Sequence, residues 1–204
     1  MTAARGRDAP TKFDLRREAT RRELLRLGVE RFPIKGYAAT TVEDLVRDSG
    51  LTRGAFYFHF SGKEDFFLAV LRHRREARDD WWTVAEDPAH ATLAEVIGAA
   101  LRVLAMRADG GTALWLALIV EFVQSLNGKG DYPAQLAALY PAWLAELRSF
   151  VNALDARGMV RRDLSVDELA GIVFSHVEGV ELHHRLYGAV PAGVVDSLCR
   201  LLAP

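Results

Sequence analysis

The chain has 204 residues, half of them hydrophobic and 26% charged, enough for one sizeable core or two small ones. No apolar run approaches the roughly 20 residues a membrane span needs, and no signal-like hydrophobic segment precedes the first charged helix, so a cytoplasmic protein is expected. The net charge of −1 hides an asymmetry: residues 1–78 carry 17 Lys+Arg against 11 Asp+Glu (net +6), and residues 79–204 carry 9 against 16 (net −7).

A basic N-terminal third on an acidic remainder suits one region placed on phosphates and another kept off them. The single cysteine, Cys199, excludes an internal disulfide and agrees with a reducing compartment. Residues 1–13 are polar and basic and include Pro10, which predicts a mobile arm whose Arg5, Arg7 and Lys12 can follow a DNA groove. From Leu15 to about Phe32 the pattern is helical, with Leu25, Gly28, Val29 and Phe32 on one face. Arg16, Arg17, Arg21 and Arg22 crowd the first turns, where the helix dipole disfavours cations unless phosphates lie near. Pro33 predicts an early end or a kink, with Gly36 closing the segment.

Between Thr40 and Lys63 three helix starts follow one another. Thr40 and Glu43 have capping-box spacing, Thr52 follows Ser49-Gly50-Leu51 with Leu51 and Phe56 spaced as a hydrophobic staple, and Ser61 and Glu64 have the spacing of a second box. Gly50 stands where a tight turn needs a left-handed backbone. Two short helices around such a turn make a helix-turn-helix. A long helix from Gly62 to about Trp82 is expected to link this unit to the rest, with Trp81 and Trp82 at its far end.

The residues Gly36-Tyr37, Thr40-Thr41-Val42, Gly50-Leu51, Gly54-Ala55-Phe56-Tyr57-Phe58-His59-Phe60 and Lys63-Glu64 resemble the TetR family of bacterial transcriptional regulators. The likeness spans roughly residues 15–72; the rest resembles that family in length and helical layout. It implies a homodimer on a palindromic double-stranded DNA operator, with the Thr52–His59 helix in the major groove. Matched residue by residue, Arg53, Gly54 and Ala55 fall where base edges are met, with Thr52 at the start of that helix. Thr41, Tyr57, His59 and Lys63 fall where the family meets phosphates. Arginine donates bidentately to guanine, so Arg53 is the expected base reader; Phe56, Phe58 and Phe60 are expected in the core.

Beyond Asp87-Pro88 four or five further helices are expected, giving an all-α chain of about nine helices. The divisions expected are an arm (1–13), a helix-turn-helix domain (14–62), a connecting helix (63–85) and a ligand-binding and dimerisation domain (86–204). Thr92 with Glu95 and Ser165 with Glu168 are capping boxes, Asp109-Gly110-Gly111 and Gly158 are stops, and Tyr140-Pro141 is a kink or break. The helix opened by Ser165 carries two apolar stripes. Gly171, Ile172, Ser175, Gly179, Leu182 and Leu186 form one, and small residues at that spacing let a second helix approach. With Val195, Leu198, Cys199 and Leu202 of the last helix they are the expected dimer face. His176 and His183 lie on the other stripe; with Trp115, Glu121, Phe122, Trp143 and Phe150 they are the expected lining of a small-molecule effector pocket. Glu181 and His184 make one Glu-x-x-His pair with no second, so no metal is expected. No nucleotide loop or nucleophile motif is present, so neither cofactor nor enzymatic activity is expected.

Overall fold

The computed structural model describes residues 11–76, 81–107, 112–128, 130–188 and 192–204, without the side chains of 104–107, 112–114, 181, 184 and 185. The described residues are all-α, in ten α-helices and one 3₁₀ turn. The stop expected at Asp109-Gly110-Gly111 and residues 1–10 of the arm lie outside them.

Helix α1 (Lys12–Lys35) starts two residues inside the expected arm, because Thr11 caps it: its side chain accepts from Asp14 N and Asp14 returns the bond to Thr11 N. Pro33 does not end it. The helix runs on to Lys35, and the Gly36 N–H then donates to Phe32 O at 2.9 Å. Gly36 is required twice over, by a φ of 85° and by a Cβ position only 2.8 Å from Glu121 Oε2.

Helix α2 (Val42–Val46) and helix α3 (Arg53–His59) form the helix-turn-helix, with Gly50 at φ 73° in the turn as expected. The capping box of α2 is one residue later than predicted. Thr41, not Thr40, accepts from Asp44 N, while the buried Thr40 hydroxyl donates to Gly36 O at 2.6 Å. Helix α1 fixes α2 from below: Arg31 donates to the Asp44 and Arg47 carbonyls, and Lys35 meets Asp44 at 2.7 Å.

Helix α4 (Lys63–Glu76) begins after a shifted box as well, Ser61 bonding Asp65 rather than Glu64. Its described part ends at Glu76, residues 77–80 lie outside the described chain, and Trp81–Glu86 form a separate 3₁₀ turn. The long helix expected from Gly62 to Trp82 is thus described from Lys63 to Glu76, and Trp81 and Trp82 at its expected far end lie in a 3₁₀ turn. Trp81 is core: its ring lies tilted 5.4 Å from that of Phe150 and its N–H donates to Glu146 at 3.0 Å.

Six more helices follow: α5 (Leu93–Arg107), α6 (Thr112–Leu126), α7 (Tyr132–Ala137), α8 (Tyr140–Ala156), α9 (Val166–Tyr187) and α10 (Val194–Leu202). The Thr92–Glu95 and Ser165–Glu168 boxes form as read, and Tyr140-Pro141 opens a new helix, the break rather than the kink.

Two buried clusters organise the molecule, and they do not divide at residue 86. One joins Phe32, Tyr37, Phe56, Phe60, Phe66 and Phe67 to Trp115, Leu118, Phe122 and Leu126 of α6. The other gathers the 3₁₀ turn, α5, α8, α9 and α10. Each fully buried phenylalanine stabilises by about 1.5–3 kcal/mol through burial alone, so Phe122 helps anchor α6 in the helix-turn-helix core.

Candidate DNA interface and effector cavity

The outer face of the helix-turn-helix is assembled from short capped elements. Thr41 and Thr52 are exposed N-caps, the Thr52 oxygen accepting from Ala55 N at 3.1 Å. Arg53, Gly54 and Tyr57 are exposed on α3, Ala55 is half-buried, and Arg53 lies 5.9 Å over the Tyr57 ring. Phe58 is not core; it is 61% exposed, with Arg17 of α1 at 5.6 Å over its ring, whereas Phe56 and Phe60 are buried. Glu43, expected only as a cap partner, instead forms an ion pair with Arg53. His59 is held below its ordinary pKa of 6.5 by burial, then by Arg17 and Arg21, against a weaker pull from Glu18, so it is neutral at pH 7.

Lys63 stands elsewhere. Its ammonium donates to the carbonyls of Tyr37 (3.0 Å), Ala38 (3.2 Å) and Thr40 (3.1 Å) and sits 4.5 Å over the Tyr37 ring. An ammonium has three protons, and three carbonyls take them. Expected on a phosphate, the Lys63 ammonium instead clamps the loop between α1 and α2 in the DNA-free chain, and partial burial pushes its pKa down.

A cavity of about 120 Å³ opens between α4, α6, α8 and α9. Trp81, Trp115, Ile119, Trp143 and Phe174 supply much of its apolar wall, while Arg74, Arg75, Glu146 and Glu178 supply its charges. Trp115 and Trp143, expected to line an effector pocket, are among these lining residues. Glu121, Phe122, Phe150, His176 and His183 are not among its lining residues. Glu121 accepts from Ala38 N at 3.1 Å, and Phe122 packs between Tyr37 (5.2 Å) and Phe67 (5.0 Å). Phe150 is fully internal; His176 borders a shallow depression with Gly171, Ile172 and Ser175, and His183 lies 4.7 Å from the Tyr187 ring. Helical periodicity marks a buried face without saying whether the next atom is a neighbour or empty space. Arg74, Arg75, Glu146 and Glu178 line the cavity without belonging to any pattern singled out in the sequence.

The expected dimer face also divides. Leu198 and Leu202 are 3% and 0% exposed inside the subunit's own second core, with Val195 and Cys199 packed against it, so α10 turns its apolar stripe inward on α5 and α9. On α9 the stripe stays outside: Leu182 is 44% and Leu186 63% exposed, and a Cβ at Gly171 or Gly179 would meet nothing within 4 Å. The side chains of Glu181 and His184 lie outside the described residues. No described helix is long and apolar enough to cross a membrane.

Comparison with known proteins agrees with this geometry. Residues 24–70 match the model of bacterial regulatory proteins of the tetR family. The HTH-type transcriptional repressor AcnR of Corynebacterium diphtheriae is 39% identical over 199 residues, covering 94% of this chain and 90% of that protein. The transcriptional regulator AcuR of Cereibacter sphaeroides is 26% identical over 168 residues, 80% of this chain and 75% of that one. A local match to the regulator YwcC of Bacillus subtilis is 41% identical over 64 residues, 31% of this chain and 29% of that protein. The reduced form of Escherichia coli NemR shares the fold at a TM-score of 0.71 and 18% identity, over 91% of this chain and 97% of that one. With the exposed α3 and the basic N-terminal third, these likenesses show that the chain belongs to the TetR family of bacterial regulatory proteins and is a DNA-binding transcriptional regulator.

Proposed function

We propose that the protein is a cytoplasmic homodimeric repressor that leaves a palindromic operator when a small molecule enters the cavity beside Trp115 and Trp143. One observation carries the ligand response: α6 bears both the cavity wall and the contact with the DNA-binding unit. Trp115, Leu116 and Ile119 line the cavity, and Glu121 and Phe122, the next half-turn, touch Ala38, Tyr37 and Phe67. A ligand lowers DNA affinity only by favouring a conformation whose recognition helices are wrongly spaced, since half-sites on one DNA face recur at about 34–36 Å. The deciding experiment titrates operator DNA with and without fractions of a bacterial metabolite extract. Release by one fraction is expected; operator affinity indifferent to every fraction would leave a ligand-independent DNA-binding dimer.

On the DNA side, Arg53 supplies base reading, and Thr41, Thr52, Tyr57 and His59 supply backbone contacts. Arg53→Ala is expected to weaken operator binding by about 1–3 kcal/mol and to relax preference at one position of each half-site. Because Glu43 holds Arg53 in the free protein, Glu43→Gln is expected to tighten operator binding, read in the same titration. Equal losses on operator and random DNA for the arginine variant would contradict the base-reading role.

His59 gives the interface a pH dependence of known sign. Its folded pKa lies below the 6.5 of the unfolded chain, so its share of stability is complete above about pH 6.5 and is lost as pH falls towards the folded value. A phosphate at its ring favours the charged form, so DNA binding takes up a proton. Operator affinity is expected to rise as pH falls below about 6.5, and His59→Gln is expected to flatten that slope.

The outer α9 stripe is the proposed dimer face, with Gly171, Ile172, Ser175, Gly179, Leu182 and Leu186. A Cβ at Gly179 meets nothing within 4 Å, so the added bulk of Gly179→Leu is expected to be felt chiefly by a partner helix. Overpacking of about 1–3 kcal/mol per copy, felt twice across a two-fold, is expected to give monomer in sedimentation at micromolar concentration. A folded variant that stays dimeric moves the interface elsewhere.

A further inference from the structure

We infer that the cavity takes a small organic cation: an ammonium group against Glu178, with an aromatic or aliphatic body of about one ring on the tryptophans. This rests on the effector-site reading above and names the chemistry of what binds there.

The pairing of the lining charges decides the sign. Arg75 lies 3.8 Å from Glu146, and Glu146 also accepts the Trp81 N–H at 3.0 Å, so that acid and that base answer one another. Arg74 stacks 5.0 Å over the Trp115 ring. Of the two lining carboxylates Glu178 is the one left over, and among the described residues it has neither an ion-pair nor a hydrogen-bond partner. Burial, unopposed by a nearby cation, pushes its carboxyl up. A half-buried carboxylate without a partner is costly, and a ligand bringing one positive charge removes that cost. An anion would add to it.

The wall around Glu178 fits the same occupant. Trp143 and Phe174 join Trp81 and Trp115, and aromatic faces attract a cation within about 6 Å of their centroids. The volume sets the size. A dry cavity of about 150 Å³ accommodates benzene, so about 120 Å³ excludes a multi-ring drug and limits the enclosed part of the ligand to at most one ring or a short branched chain.

The test uses the whole protein and follows tryptophan fluorescence, three indoles lining the site. 2-Phenylethylammonium, 2-phenylethanol and phenylacetate, matched in shape and differing in charge, are titrated at pH 7. Saturable binding of the ammonium at about millimolar affinity or tighter is expected. It should bind at least about tenfold more tightly than the alcohol, with the carboxylate weakest. E178Q is expected to bring ammonium and alcohol within about twofold without lowering the thermal midpoint, since no partner is lost. The assignment is overturned if the ammonium fails to saturate, if the carboxylate binds best, or if folded E178Q keeps the full preference. Should E178Q not fold, the ranking on the unmodified protein still decides.

Operator titration separates the two readings. Preferential ammonium binding that leaves operator affinity unchanged upholds the cation site and removes it from regulation. Operator release driven by an anion bound in this cavity upholds regulation and overturns the cation.

Discussion

Replacing Lys63 with alanine is expected to lower stability by about 2–3 kcal/mol, because bonds from a charged donor to the Tyr37, Ala38 and Thr40 carbonyls vanish together. For a chain of this length that is a fall of roughly 4–12 °C in melting temperature. The variant that still folds is expected to keep the parent's salt dependence on DNA, since no phosphate partner has been removed. A surface lysine on phosphate behaves in the opposite way: an unchanged melting temperature and a salt slope reduced by about one for each phosphate no longer neutralised. Melting and salt titration on one preparation therefore distinguish clamp from phosphate ligand. Lysine's stem and three-proton head suit this place; Lys63→Arg, whose planar fork cannot converge on three carbonyls, should recover little of the loss.

That example shows what sequence reading reaches and where it stops. The helix-turn-helix was legible because its signals are local: a threonine cap, a glycine at φ 73°, a staple from Leu51 to Phe56. Register was less legible where two signals overlap. Thr40–Glu43 and Thr41–Asp44 have the same spacing, and the choice is made from outside the motif. Gly36 O draws the Thr40 hydroxyl inward, and Lys35 and Arg47 both hold Asp44, whose carboxyl is well below the usual range through Lys35 first and Thr41 next.

Roles set by distant partners were not legible at all. Lys63 answers carbonyls 23–26 residues back, and Glu121 meets an amide 83 residues away, so neither reveals its task through its neighbours. The stripe on α10 has a similar ambiguity. An amphipathic helix reports that one face is buried, and only packing shows that α5 and α9 of the same subunit bury it.

Phe122→Ala is expected to have the largest effect of all, because it removes the most central of the four α6 side chains (Trp115, Leu118, Phe122 and Leu126) that join the two halves. Phe122 is wholly buried, with rings of Tyr37, Phe67 and Tyr132 at 5.2, 5.0 and 6.5 Å. Removing a buried phenylalanine costs about 3–5 kcal/mol. Where the loss falls matters more than its size. On one side of Phe122 stands the core of α1 and α4; on the other, α6 leads back to Trp115 and the cavity. With the ring gone, Trp115, Leu118 and Leu126 still pack on that core but around a cavity, and Glu121 keeps one exposed hydrogen bond to the loop at Gly36–Ala38. The expected melt is therefore two separate transitions in the variant, the helix-turn-helix unit unfolding first, against one in the parent. Trp81→Ala provides the contrast. It removes a comparable buried ring from the second core, away from this joint, so it is expected to lower the midpoint while leaving a single transition. Calorimetry of the two variants reads both outcomes. A Phe122→Ala protein that melts in one step with the parent's sharpness would show that α6 does not join the halves, and the route from cavity to DNA would have to run through α4 instead.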